Sequence, residues 1–161
     1  TDSKALMRGY QDFSGLEHRL ERVAEINGVL YINDSKATND DSAAVALAAV
    51  ERPVVLLLGG RDKGGGYDRT LRAATRVRVV IAFGEARELI AQAFARHPDV
   101  QVCPTFNQAF AQAAARARPG DAVLLAPACS SFDEFKNYAE RGRAFKALVR
   151  DQQHTAPGEV A

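Results

Sequence analysis

Three apolar runs with almost no polar interruption restrict what this chain can fold into. Pro53–Leu58 ends at Gly59-Gly60, Arg78–Phe83 ends at Gly84, and Asp121–Ala126 follows Pro119-Gly120. An unbroken apolar run of this length, rather than an alternating one, is the pattern of a strand covered on both faces. Helical patterns separate the runs. They cover Tyr67–Thr75, Glu85–Arg96 with Ala86, Leu89, Ile90 and Phe94 on one face, and Phe106–Ala117. A short strand, Val100–Cys103, sits among them, and a last helix is expected over Phe132–Arg150, with Phe135, Tyr138, Phe145 and Leu148 as apolar contacts. Strands alternating with helices predict a mostly parallel sheet layered between helices.

Upstream, Glu21–Ile26 and Val29–Ile32 flank Asn27-Gly28. Asn-Gly supplies the two positive φ angles of a type I′ turn at low steric cost, so this segment predicts a β-hairpin. A helix is expected from Asp40 to Val50. The fold class is therefore α/β and Rossmann-like: a mostly parallel, mixed sheet with an N-terminal hairpin and helices on both faces. Thr1–Gly15 is read as the remnant of a preceding domain plus a linker, 16–150 as the folded domain, and Asp151–Ala161 as a flexible tail. The opening on Thr1 rather than Met fits an excised piece.

Composition excludes several classes. Lys plus Arg is 21 against 20 for Asp plus Glu, a net charge of +1. That balance gives no electrostatic footprint for nucleic acid or an anionic membrane. No apolar run reaches the roughly 20 residues of a spanning helix, and no secretory leader is expected. Cys103 and Cys129 lack metal spacing and read as buried thiols of an intracellular domain. His18, His97 and His154 are too scattered for a metal site. His97 reads as a loop residue.

Polar chemistry gathers in three loops, each after a strand. The first is Asn33-Asp34-Ser35-Lys36-Ala37-Thr38-Asn39. Asn39, Asp40 or Asp41 could serve simply as a helix cap. Capping does not account for Lys36, whose charge opposes the macrodipole at a helix N-terminus unless an anion offsets it. The second is Gly59–Tyr67, where five glycines permit close backbone approach and Arg61 and Lys63 add charge. It lacks the Walker A order and could be a flexible turn with solvated charges. The third is Pro127–Ser131, where Ser130 or Ser131 could cap a helix and no partnered His marks a nucleophilic serine. Ligands in open α/β sheets collect beyond the carboxyl ends of the strands. Two lysines, several hydroxyls and helix N-termini at one such edge suit a small dicarboxylate.

Taken together, Leu16-Glu17-His18-Arg19, Ile32–Asn39, Leu56–Lys63, Leu125–Tyr138 and Arg141-Gly142 resemble the Mur ligase family over about Phe13–Val149. The likeness covers only the C-terminal third of such an enzyme. The Asp34-Ser35-Lys36-Ala37-Thr38-Asn39 block marks the glutamate-adding branch. Other Mur ligases and folylpolyglutamate synthase carry a His-Pro or Asn-Pro version after the aspartate.

The resemblance implies a cytoplasmic, monomeric, ATP-dependent ligase that adds D-glutamate to UDP-MurNAc-L-Ala through an acyl phosphate. Lys63 and Thr38 would hold the α-carboxylate of glutamate, and Ser131 with the backbone near Tyr138 its side-chain carboxylate. Lys36 would sit by the reacting carboxylate and phosphate, with Arg19 toward the phosphate of ATP and Asp34 toward its ribose. Tyr138 stands where the family usually has Phe. The family's phosphate loop, modified lysine and magnesium ligands belong to a central domain, so this domain alone is expected to be inactive. The competing reading is a non-enzymatic Rossmann-like module that binds an anionic metabolite.

Overall fold

The computed structural model describes residues 16–155. In chain order these form β1 (Glu21–Ile26), β2 (Val29–Asn33), α1 (Asp40–Ala49), β3 (Val54–Gly59), α2 (Asp68–Ala73) and β4 (Val77–Phe83). Then follow α3 (Arg87–Ala93), β5 (Val100–Cys103), α4 (Phe106–Arg116), β6 (Ala122–Ala128) and α5 (Tyr138–Thr155). The strands make one sheet in the order β1-β2-β6-β3-β4-β5. Only the β1–β2 hairpin is antiparallel. Asn27 and Gly28 take φ of 52° and 81°, as the Asn-Gly turn requires. The mixed, mostly parallel α/β sheet expected from the sequence is the one observed.

The core follows the two-residue period of a strand. Leu30, Ile32, Leu56, Leu58, Val80, Ala82, Leu124 and Ala126 face Ala43, Ala46 and Leu47 of α1 and Ile90 of α3. The intervening Tyr31, Val55, Leu57, Val79, Ile81, Val123 and Leu125 face Phe106 and Phe110 of α4 and Phe145 and Val149 of α5. Leu56, Leu57, Leu58, Leu124 and Leu125 are all fully buried. Each contributes about 1.5–3 kcal/mol by leaving water. A cavity at Leu57 on truncation to Ala would cost about 2–5 kcal/mol.

The largest differences from the sequence reading fall at three boundaries. The last helix begins at Tyr138, not Phe132, because the acids at its expected start bond elsewhere. The Asp133 carboxylate accepts from the Glu85 N–H at 3.0 Å, and the Glu134 carboxylate from the Phe106 N–H at 3.1 Å, capping α4. The same helix runs on to Thr155, so the first residues of the expected tail are helical. Helix α3 stops at Ala93, shorter than expected, and the turns after it are held by His97. The Asp99 N–H donates to Nδ1 of His97 at 3.1 Å, so Nε2 carries the proton and donates to the Val77 carbonyl at 2.7 Å. His97 is a structural pin rather than a passive loop residue. The expected leader at 1–15 and the remainder of the tail lie outside the described residues.

Candidate functional site

Because β6 lies between β2 and β3, the loops after these strands emerge side by side at one sheet edge. Backbone bonds join them. The Ala128 N–H donates to the Ala37 carbonyl at 2.8 Å, linking the end of β6 to the first loop. Arg61 and Ser130 exchange bonds of 2.9 and 3.2 Å, linking the second loop to the third. Gly60 permits that approach: its φ is +130°, and a Cβ there would lie 2.1 Å from the Ser130 carbonyl oxygen. Only glycine fits.

Beneath the loops lies Arg141 of α5, fully buried. Its Nε donates to Ser35 Oγ at 3.0 Å, and its Nη2 to the carbonyls of Ser35 and Cys129 at 2.9 and 3.1 Å. Nη1 points at the Gly59 carbonyl at 3.5 Å. One guanidinium thus touches all three loops, using the fork geometry that distinguishes Arg from Lys. Burial pulls its pKa down to about 10, still leaving it charged at neutral pH. None of these contacts is a carboxylate, although the Asp133 and Glu134 charges lie close enough to favour its charged form. The sequence reading gave Arg141 no role. The signal was its position three residues after Tyr138 and four before Phe145, on the apolar face of a helix.

The first loop is anchored from below. The buried Asn33 carboxamide donates through Nδ2 to His18 Nδ1 at 2.9 Å and to Glu21 at 3.0 Å, and accepts the Ser35 N–H at 3.1 Å. The His18 ring lies against Gly142, where a Cβ would sit 2.0 Å from Nδ1. His18 and Leu20 hold positive φ angles of 69° and 44° on either side of Arg19. Such strain persists only where surrounding contacts fix it. Here the His18 carbonyl accepts the Lys36 N–H at 3.0 Å, and the Leu20 backbone N–H favours the charged form of the Asp34 carboxyl. Asp34 is 6 % exposed, and burial pushes its carboxyl up to about 6. Neither His18 nor Asn33 was singled out as a positioning residue from the sequence.

The residues expected to bind ligand fall on this edge. Arg19, Lys36 and Lys63 are exposed, Thr38 is half-buried and Ser131 is buried. Among the described residues, Arg19, Lys36 and Lys63 form no ion pair. The Lys36 ammonium stands 5.9 Å from the centre of the Tyr138 ring, within cation–π range. The Tyr138 carbonyl accepts Ser35 Oγ at 2.7 Å and is therefore engaged. Asn137 caps α5 by accepting the Glu140 N–H at 2.8 Å, which leaves the Tyr138 N–H in the unpaired first turn. Asn39 caps α1 through the Ser42 N–H at 2.8 Å, as the capping alternative held. Asp40 instead crosses to α2, accepting the N–H groups of Arg69 and Thr70 at 2.9 and 2.8 Å. Three exposed cations without ion-pair partners among the described residues, on loops gathered by a buried fourth, give this edge the charge that an anion would complement. No group of three metal-ligating side chains occurs among the described residues.

Comparison with known proteins follows the same line. Residues 18–129 match the family described as Mur ligase, glutamate ligase domain. The chain is 50% identical over 149 residues to the UDP-N-acetylmuramoylalanine--D-glutamate ligase of Nitratidesulfovibrio vulgaris, covering 91% of this chain and 34% of that protein. It is 48% identical over 149 residues to the ligase of the same name from Acidobacterium capsulatum, covering 91% and 32%. The chain spans about a third of the length of the curated relatives it matches. Among solved structures, the UDP-N-acetylmuramate-alanine ligase of Thermotoga maritima has the same fold. Its TM-score is 0.61 at 11% identity, covering 94% of this chain and 34% of that one. The bifunctional folylpolyglutamate synthase/dihydrofolate synthase of Yersinia pestis gives 0.59 at 22% identity, covering 92% and 34%. By the match over residues 18–129, the chain belongs to the Mur ligase family, as its C-terminal, glutamate ligase domain.

Proposed function

We propose that this domain works within an ATP-dependent, ADP-forming ligase that joins D-glutamate to UDP-MurNAc-L-Ala. The observation that carries the reading is that the buried Arg141 joins the three loops bearing Lys36, Thr38, Lys63 and Ser131, while Arg19, Lys36 and Lys63 form no ion pair among the described residues. In this reading a carboxylate oxygen of UDP-MurNAc-L-Ala attacks the γ-phosphorus of ATP and ADP leaves. The glutamate amine then attacks the acyl carbon, and the C–O bond to phosphate breaks, releasing inorganic phosphate.

The residues divide the work by charge and position. Lys63 and Thr38 hold the α-carboxylate of D-glutamate. Ser131 and the Tyr138 N–H hold its side-chain carboxylate. Lys36, steadied by the Tyr138 ring, stabilises charge on the acyl phosphate and the tetrahedral intermediate. Arg19 meets the ATP phosphates and Asp34 its ribose. An acyl phosphate hydrolyses in water, so the domain must close over the rest of the enzyme to exclude solvent and align the amine. Magnesium would neutralise charge on the nucleotide phosphates, and in this reading its ligands would come from the rest of the ligase, as the resemblance implies. The ligase is cytoplasmic and monomeric in this reading.

NMR titration of the 161-residue chain with D-glutamate, L-glutamate and ATP tests it. Shifts at Lys36, Thr38, Lys63 and Ser131, larger for D-glutamate than for L-glutamate, are expected. Shifts confined to the opposite sheet edge, or turnover of ATP and UDP-MurNAc-L-Ala by this chain alone, would refute the assignment.

A further inference from the structure

Lys63 is carried on a stretch that packing does not hold. A Cβ added at Gly64, Gly65 or Gly66 would meet nothing within 4 Å. The base of the loop is fixed where Arg61 and Ser130 exchange backbone bonds. Its far end is fixed at Tyr67, whose side chain is buried in the core on the α1 face of the sheet. Between these points, among the described residues, the hydrogen bonds reaching 62–66 all end on one carboxylate. The Gly64 N–H donates to Asp62 Oδ2 at 2.9 Å, and the Tyr67 hydroxyl to Asp62 Oδ1 at 2.7 Å.

The Tyr67 hydroxyl has a second partner, Cys129 Sγ, at 3.3 Å. Burial raises the pKa of both groups, so each keeps its proton at neutral pH. The direction of the chain follows. Asp62 can only accept, so Tyr67 donates to it, and the Cys129 thiol donates to the Tyr67 oxygen. The loop that carries Lys63 is thereby tied to the end of β6 through a buried phenol.

We propose that Tyr67 is a positioning residue, whose hydroxyl holds Asp62 and so fixes where Lys63 is presented to the anion site. This rests on the reading of Lys63 as the ligand of the glutamate α-carboxylate. Without the latch, a glycine-rich stretch samples many conformations, and that freedom must be given up each time glutamate binds. The latch removes this loss beforehand. It therefore acts on glutamate affinity and leaves the chemistry at Lys36 unchanged.

Tyr67→Phe keeps the ring and removes the hydroxyl, while Asp62→Ala removes the acceptor and keeps the tyrosine. In the 161-residue chain each is expected to speed amide exchange at Gly64 about tenfold, the loss of a hydrogen bond to a charged group. In the complete ligase each is expected to raise the KM for D-glutamate about tenfold, with kcat within about twofold. Neither should worsen a Lys63→Ala enzyme further, because all three act through one contact. Unchanged Gly64 exchange and KM in Tyr67→Phe, with Lys63→Ala impaired, would overturn the latch alone. A Tyr67→Phe effect that adds fully to Lys63→Ala would also overturn it. A Lys63→Ala enzyme with unaltered glutamate KM would sink the underlying reading of Lys63 instead.

Discussion

Asp34 offers a test in which pH itself separates stability from function. The residue is 6 % exposed, and burial raises its carboxyl from an ordinary 3.8 to about 6, against the opposing pull of the Leu20 N–H and the Arg19 charge. A carboxyl that binds its proton more tightly in the fold than in the unfolded chain costs stability when it ionises. Below about pH 3.8 it is protonated in both states and costs nothing. The cost grows between about 3.8 and 6 and is complete above 6. A gap of about two pH units at about 1.4 kcal/mol each makes it about 3 kcal/mol at pH 7. Asp34→Asn has the same shape, can still accept the Leu20 N–H through its carboxamide oxygen, and never ionises. Urea unfolding at pH 4, 5.5 and 7 should show the variant little changed at pH 4 and about 2–3 kcal/mol more stable at pH 7. A gain independent of pH, or a variant less stable at pH 7, would refute the reasoning. If Asp34 meets the ribose, the stabler variant also binds ATP more weakly in the complete ligase, the usual trade at a functional site.

Other expectations concern the supports of the site. Gly142→Ala places a methyl 2.0 Å from His18 Nδ1. It should lower stability by about 2 kcal/mol or more in urea unfolding. Arg141→Lys keeps the charge but not the fork, leaving carbonyls of the first and third loops without a donor. A loss of about 2–4 kcal/mol is expected, read as a lower urea midpoint at unchanged slope. Asp40→Ala removes the cross-chain cap of α2, which should cost about 1–2 kcal/mol and speed amide exchange at Arg69 and Thr70. Helix α1 should keep its protection, because Asn39 caps it separately.

What was legible in the sequence was what local patterning encodes. The apolar runs around Leu56, Val80 and Leu124 declared strands buried on both faces, and Asn27-Gly28 declared the hairpin. The three loops were visible because their polar residues follow the second hairpin strand and the runs around Leu56 and Leu124. Strand order was not visible, since nothing in Ala122–Ala128 says that it inserts between β2 and β3 rather than joining an edge. The late start of α5 was hidden for a related reason. Asp133 and Glu134 read as first-turn acids of a helix, yet their carboxylates serve N–H groups 48 and 28 residues away. Arg141, Asn33 and Tyr67 were missed as supports because buried polar groups are chosen by long-range partners, which local periodicity does not contain.

The central seat of β6 has a consequence for synthesis. Ribosomes deliver the chain from its N-terminus, and the strand that completes the middle of the sheet is the last of the six to arrive. Until it does, the first loop lacks the partner at Ala128, the second lacks Ser130, and the guanidinium that gathers them has not been made. A chain that ends before β6 therefore lacks every contact that gathers the three loops. Whatever this edge binds, its three loops are gathered only once β6 and α5 are in place.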